Sequence, residues 1–364
     1  MMRGLFFSYF QEKKVNQQAY KNIISENSSN PFASLLRFCL YPLSLVYLLI
    51  INIRNFLYSK AILKSKHPSV PVISIGNITT GGTGKTPAVI WLCNFLKDKN
   101  IPTAILTRGY KTKKGQFADE PAILTKNCPD TKILVDSKRT LTAKKAVKNH
   151  SVKALVMDDG FQHRKLARDI DILTIDSLIP FGYQKVLPAG LLREPLTSIK
   201  RAQAAILTRC DQTTQENIEN IEKKIKSINP DIVIAKSIHS PTAAQAIGAT
   251  RIPLDQLKTR KVYAFSGIGN PQSFINTLKS LQIHLVGTKI FNDHHNYTCE
   301  DITEIYENAR KLEAEVILST QKDWTKTALF AANIKNDITF AFLAIKLKFI
   351  SNEQKITQLI ENLL

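Results

Sequence analysis

Residues 72–91, VISIGNITTGGTGKTPAVIW, constrain this chain more than any other stretch: a short apolar strand leads through a glycine-rich turn into a helix. Gly81, Gly82 and Gly84 carry no Cβ, so the backbone can curl and aim successive N–H groups at an anion lying on the N-terminus of that helix. Lys85 adds a full positive charge, and Thr86 places a hydroxyl where phosphate-binding loops hold Mg²⁺ against the β- and γ-phosphates. The match to G-x-x-x-x-G-K-[ST] is incomplete, because Thr79 stands at the first glycine position. A glycine cluster alone suits a structural turn equally well. With a strand before it, Lys-Thr at its end and a helix after it, the set Thr79, Gly81, Gly82, Thr83, Gly84, Lys85 and Thr86 is a candidate site for nucleotide phosphates.

From residue 70 the chain alternates short β-type runs with helical patterns. Strands are expected at 72–75, 103–107, 132–135, 154–157, 170–175, 204–208 and 232–235, with helices through Phe95, to about Asn149 and over 215–228. That alternation predicts an α/β fold: a P-loop NTPase-like, mostly parallel sheet with helices on both faces, and ligands at the carboxyl ends of the strands. Around 237–260 the sequence turns to Ser, Pro, Ala and Thr without a long apolar run, which reads as a linker. A second series of strands and helices follows. The expected division is residues 1–66 as an N-terminal membrane-associated segment, 67–236 as the kinase-type core, 237–260 as linker and 261–364 as a smaller α/β domain able to close over the first.

Fifty Lys and Arg against thirty Asp and Glu leave a formal net charge of +20, which favours an anionic partner. The lysines are dispersed rather than gathered in an arginine-rich arm or interleaved with aromatics, which argues against nucleic acid. An anionic membrane surface has local support. Phe38 to Ile51 is an apolar run of fourteen residues, followed by Arg54, Lys60, Lys64 and Lys66. As a helix it reaches about 21 Å, short of the ~30 Å hydrocarbon core unless polar flanks such as Asn52 are recruited. A buried core helix is the alternative, but Phe38, Tyr41, Tyr47, Phe56 and Tyr58 beside a basic skirt favour an interfacial segment. The five cysteines are scattered, with no C-x-x-C pair, so neither a disulfide framework nor a structural metal is expected.

Four apolar residues lead directly into Asp158 and Asp159, so both acids emerge at the carboxyl end of a buried strand, where the partner strand of a phosphate loop supplies Mg²⁺ contacts. Asp-Asp-Gly is also ordinary turn chemistry. Asp119 in Asp119-Glu120-Pro121 and Glu194 in Arg193-Glu194-Pro195 are further acids, each ahead of a proline that suggests an extended approach. Phosphoryl transfer to a hydroxyl needs one carboxylate to accept the proton. Asp293-His294-His295 sets two histidines beside an acid; one is expected in a polar pair, the other in packing or on the surface. Lys322-Asp323 follows an apolar strand and suits either a substrate phosphate or a surface ion pair.

Together, Gly81-Gly82-Thr83-Gly84-Lys85-Thr86-Pro87, Thr107-Arg108-Gly109-Tyr110, Asp119-Glu120-Pro121, Asp158-Asp159-Gly160-Phe161-Gln162-His163, Leu187-Pro188-Ala189-Gly190, Arg193-Glu194-Pro195, Gly267-Ile268-Gly269-Asn270-Pro271 and Phe291 with Asp293-His294-His295 resemble the tetraacyldisaccharide 4′-kinase family. The segment between Tyr110 and Asp119 is shorter than the family pattern. The resemblance implies ATP- and Mg²⁺-dependent phosphorylation of the 4′-hydroxyl of an acylated glucosamine disaccharide 1-phosphate lipid, at the cytoplasmic face of a bacterial inner membrane. It assigns Gly84, Lys85 and Thr86 to phosphates, Asp158, Asp159 and Glu194 with Thr86 to the metal, and Asp119 with His294 to the proton of the acceptor; Lys85 also counts among the catalytic groups. A membrane-associated partitioning-type ATPase is the alternative, although Thr80 stands where those loops carry lysine. Nothing asks for an obligate protein partner.

Overall fold

The computed structural model describes residues 20, 23–25, 31–109, 119–293, 295–334 and 337–364. Its strands are β1 (Val72–Gly76), β2 (Thr103–Thr107), β3 (Lys132–Val135), β4 (Ala154–Asp158), β5 (Ile170–Asp176), β6 (Ala204–Thr208), β7 (Val233–Ala246), β8 (Arg251–Ile252), β9 (Val262–Ser266), β10 (Leu285–Ile290), β11 (Val316–Thr320) and β12 (Thr339–Ser351). The helices are α1 (Pro31–Ser59), α2 (Lys85–Asp98), α3 (Asp119–Asn127), α4 (Arg139–His150), α5 (Gln215–Ile228), α6 (Leu254–Lys258), α7 (Pro271–Ser280), α8 (Cys299–Lys311), α9 (Gln321–Ala332) and α10 (Glu353–Glu361). All twelve strands belong to one sheet, in the order β10-β9-β11-β12-β7-β6-β5-β1-β4-β2-β3 with β8 beside β7.

The period-two pattern of the strands places helices on both faces. Ile73, Ile75, Ile105 and Val156 point to the face covered by Ala88, Val89, Leu92 and Leu96 of α2, where Ile356 and Ile360 of α10 also pack. Val72, Leu106, Leu155 and Met157 point the other way, against Ala143 and Ala146 of α4. In the second half Val262 and Ala264 face Phe274 and Leu278 of α7. Tyr263 and Phe265 face Ile302 and Ile305 of α8.

The expected linker is a strand. β7 begins parallel to β6 and then runs antiparallel to β12 from Lys236 to Ala246. Its Ser, Pro, Ala and Thr residues are small, so even where buried, as at Ser237, Ala243 and Ala244, they carry no long apolar signal; backbone pairing with β12 holds them. β7–β12 and β7–β8 are the antiparallel pairs, the other nine being parallel. Two strands of 14 and 13 residues thus join two parallel half-sheets into one. A second correction concerns Pro121, which lies in the first turn of α3 rather than in an extended approach. The missing proline N–H costs no helical bond there.

The N-terminal helix is longer than its apolar run. α1 spans 29 residues, about 44 Å, and recruits Asn52 and the residues beyond it. One stripe of it docks on the 186–194 segment: Ser44 Oγ donates to Val186 O at 3.0 Å and accepts from Ala189 N at 2.8 Å, and Tyr47 OH donates to Arg193 O at 2.9 Å. The opposite face leaves Phe38 76% and Leu49 59% exposed, alongside Tyr41, Leu45, Val46, Ile53 and Phe56. The helix is neither a buried core helix nor free on all sides.

The two tryptophans test the continuity of the sheet, since Trp91 of α2 packs across the seam on Phe349 of β12 and Trp324 of α9 packs on Phe340 and Phe342. Variants Trp91→Phe and Trp324→Phe, each reporting on the remaining indole, are expected to show coincident urea midpoints. Separate transitions would mean that the halves fold as independent domains.

Candidate active site

The phosphate loop is held from below by side chains in or just after β1, β5 and β6. Asn77 Nδ2 donates to Thr83 Oγ1 at 3.0 Å, and Thr83 Oγ1 lies 2.8 Å from Thr174 Oγ1. Thr208 Oγ1 donates to Thr83 O at 3.1 Å, and Arg209 Nη2 donates to Gly82 O at 2.8 Å. With the loop carbonyls bonded downward, its N–H groups are left to face an anion. Gly84 caps α2 at φ 84°, and a Cβ there would also meet His239 Nε2 at 2.9 Å, so glycine is required on both counts.

Thr79 accounts for the missing first glycine. It is buried and forms an antiparallel bridge with Leu192. On either side Thr80 N donates to Leu191 O at 2.8 Å and Arg193 N donates to Ile78 O at 2.7 Å. Strand-like pairing clamps the entry to the loop in place of a glycine turn.

β4 lies beside β1 with Asp158 opposite Ile75, which brings the paired acids to the foot of the loop. Asp158 is buried and accepts from Thr107 Oγ1 at 3.1 Å. Burial, Glu120 and Asp159 push its pKa up to about 7, against Lys85 and Arg139. Asp159, held at φ 48°, lies 3.5 Å from Lys85 Nζ and accepts from Arg193 Nη1 at 2.9 and 3.0 Å. Burial works against its ionisation, but Lys85, Arg193 and Arg139 outweigh it and hold this carboxyl well below the usual range. Two neighbouring acids are thereby driven to different protonation states.

The structure brings together Gly81, Gly82, Thr83, Gly84, Lys85, Thr86, Asp158 and Asp159. It does not bring Glu194 to them as a metal ligand. Glu194 is fully buried, with Oε1 taken by Arg54 Nη2 at 2.8 Å and Oε2 by Arg201 Nη1, Ser198 Oγ and Asn55 Nδ2 at 2.9, 2.9 and 3.0 Å. Burial alone would raise its pKa, yet Arg201, Arg54 and Ser198 lower it. Its role here is to anchor α1. Asp119 opens α3, but its side chain lies outside the described residues, as does all of His294. His295 is the histidine in the polar pair, 2.9 Å from Asp301 Oδ2.

Sequence reasoning passed over three groups at the site. Arg193 sat in a quoted motif beside an acid that drew the attention, and Arg139, whose Nη1 donates to Asp159 O at 2.9 Å, opens a lysine-rich helix with no local signal. Gln162 Nε2 donates to Asn77 O at 2.8 Å and so buttresses the loop.

Among the described residues no three His, Cys, Asp or Glu side chains form a preset metal cage. Mg²⁺ does not need one, since it is commonly held by one or two carboxylates together with substrate phosphates. The donor chemistry fits that ion: burial, with Glu120 and Asp159 nearby, pushes Asp158 up to about 7, and a dication would offset the crowded negative charge.

Backbone donors at the end of β1, acids at the end of its neighbour and a lysine between them place this chain among the P-loop nucleoside-triphosphate-binding proteins. Within that class its membership is specific. The profile of the Tetraacyldisaccharide-1-P 4'-kinase family matches residues 36–364, and the chain belongs to that family. It is 37% identical over 310 residues to the tetraacyldisaccharide 4'-kinase of Elusimicrobium minutum, covering 80% of this chain and 82% of that one. It is 34% identical over 323 residues to that of Syntrophus aciditrophicus, covering 82% and 85%. The crystal structure of LpxK from Aquifex aeolicus in complex with ATP superposes with a TM-score of 0.68 at 32% identity, covering 90% of this chain and 99% of that chain. Family membership sets aside the partitioning-type ATPase.

His239 gives the site a pH signature. Its Nε2 is out of solvent without a hydrogen-bond partner, and burial with the nearby Arg209 pushes its pKa down to about 3. The unfolded chain binds a proton near pH 6.5 while the folded chain refuses it, so stability falls as pH drops from about 6.5 towards 3. His239→Asn is expected to flatten the fall in Tm between pH 6.5 and 4; an unchanged slope would assign acid sensitivity elsewhere.

Proposed function

We propose that this protein transfers the terminal phosphoryl group of ATP to the 4′-hydroxyl of a tetraacylated glucosamine disaccharide 1-phosphate, a lipid A precursor, at the cytoplasmic face of the inner membrane. The observation that carries the reading is the convergence of phosphate loop, paired acids and the start of α3: Asp158 is coupled electrostatically to both Lys85 and Glu120. Donor phosphates and the Asp119-Glu120 motif therefore share one end of the sheet.

In this reading Gly84, Lys85 and Thr86 bind the β- and γ-phosphates, while Thr86, Asp158 and Asp159 hold Mg²⁺. When bound, the ion offsets the charge on the phosphate oxygens. Arg193 and Arg139 keep Asp159 ionised and oriented. Asp119 accepts the proton of the 4′-hydroxyl as its oxygen bonds to the γ-phosphorus, and the bond from that phosphorus to the bridging oxygen breaks, leaving ADP. His294, on the second half, orients Asp119. A base and partner drawn from different halves complete the site only when both substrates are in place, which keeps water from the phosphoryl group.

The exposed face of α1 seats the enzyme on the bilayer. Its docked stripe ends in Arg54, bonded to Glu194, so the helix lies along the protein with its apolar face turned to lipid. Lys60, Lys64 and Lys66 follow and suit an anionic surface.

Incubation with ATP, Mg²⁺ and the disaccharide 1-phosphate lipid is expected to yield the doubly phosphorylated lipid. Asp119→Ala should lower kcat by about 10²–10⁴-fold, as for a lost general base, with the fold intact. Near-wild-type turnover in that variant would sink the base assignment.

For the membrane seat, the triple change Phe38→Gln, Leu45→Gln and Leu49→Gln is expected to move the protein from the pellet to the supernatant with anionic vesicles. Unaltered sedimentation would show that this face is not the one that meets lipid.

A further inference from the structure

The Lys322-Asp323 motif takes no part in the site as described, yet its surroundings lead back to the phosphate loop. β11 ends at Thr320, whose side chain caps α9 by accepting from Asp323 N, leaving Lys322 in the first turn of the helix. Asp323 is buried and accepts from Gly267 N at 3.0 Å, Tyr297 OH at 2.9 Å and Thr320 Oγ1 at 2.6 Å. It therefore ties the loops after β9, β10 and β11 into one rigid face. On that face Lys322 Nζ lies 3.3 Å from Asp293 Oδ1.

Gly269 brings this face against the donor site. A Cβ at Gly269 would lie 3.0 Å from Asp293 Oδ2 and 3.5 Å from Gly82 N, so only backbone separates the acid and lysine pair from the phosphate loop. On the loop itself, a Cβ at Gly81 or Gly82 would meet nothing within 4 Å. The apex of the loop thus has open space beside it, and the Asp293–Lys322 pair stands on the other side of Gly269 from Gly82.

We propose that Lys322 contacts the terminal phosphate of the bound nucleotide, completing the triphosphate site from the second half. The inference rests on ATP being the donor and adds a residue to its binding site. The phosphate that faces across the cleft is the terminal one, because the transferred group must leave towards the acceptor. Asp293 directly precedes His294, the residue assigned to the acceptor proton, so its neighbourhood is that of the transferred group. A lysine is a compact charge on a flexible stem, able to exchange one carboxylate oxygen for a more highly charged phosphate. Asp293 holds the amine ready in the meantime.

The test compares binding of ADP and of a non-hydrolysable ATP analogue, both with Mg²⁺, by titration calorimetry. Lys322→Ala is expected to weaken the analogue about 10- to 100-fold, the loss of a hydrogen bond to a charged group, while ADP affinity stays within about twofold. Lys322→Arg should retain most of the analogue affinity. Equal weakening of both nucleotides would reduce Lys322 to a structural role, and no change in either would remove it from the site; both results overturn the proposal. Should Lys322→Ala fail to fold, Lys322→Gln is judged by the same ratio. Wild-type protein that binds neither nucleotide would overturn the ATP reading itself, a failure distinct from a wrong assignment of Lys322.

Discussion

The strip Leu191–Glu194 holds the working parts of this enzyme in register. Its backbone pairs with Ile78, Thr79 and Thr80, fixing the entry to the phosphate loop. Its side chains then diverge: Arg193 bonds Asp159 beside Lys85 of the phosphate loop, while Glu194 takes Arg54 and Asn55 of α1. Removing one partner of a buried ion pair leaves an uncompensated charge, which is far costlier than losing a surface pair. α1 and the phosphate loop therefore share one rigid spine of four consecutive residues.

Electrostatics at the site depend on the same strip. Asp158 and Asp159 are neighbours in sequence, the first buried and the second partly so, but only Asp159 has Arg193 and Lys85 in direct contact. One acid stays ionised and the other is pushed up to about 7. In a site screened from water such differences are large, because charges interact more strongly than in bulk solvent.

What the sequence made legible follows from the range of each interaction. Gly84, Lys85 and Thr86 act within one turn of chain, and the alternation in Ile73–Ile75 or Val262–Phe265 is local, so loop and strands could be read directly. β7 could not, because Ser237–Ala246 is held by β12, a hundred residues later, and its alanines say nothing about partners. Glu194 beside a proline looked like a solvated or metal-binding acid. Only the approach of Arg54 from α1 and Arg201 from beyond the loop buries it. Arg139 was invisible for the same reason: in a helix rich in lysine, one arginine turned inward differs from its neighbours only in three dimensions.

The seam between the halves sets how the site can assemble. A loose tether would have let the second half swing over the first, but β7 and β12 pair along more than ten residues of each strand. Any relative movement of the halves has to bend this ribbon. Its register shifts, between Ala344 and Ile345 and between Phe349 and Ser351, are where a paired strand bends most readily. Flexure there would reach, along β9 and β11, the loops at their ends, where a Cβ at Gly269 would lie 3.5 Å from Gly82 N. The continuous β7–β12 pairing therefore favours a small adjustment at the cleft over a large closure. A flexible lysine and a side-chain-free glycine are the residue types suited to that adjustment.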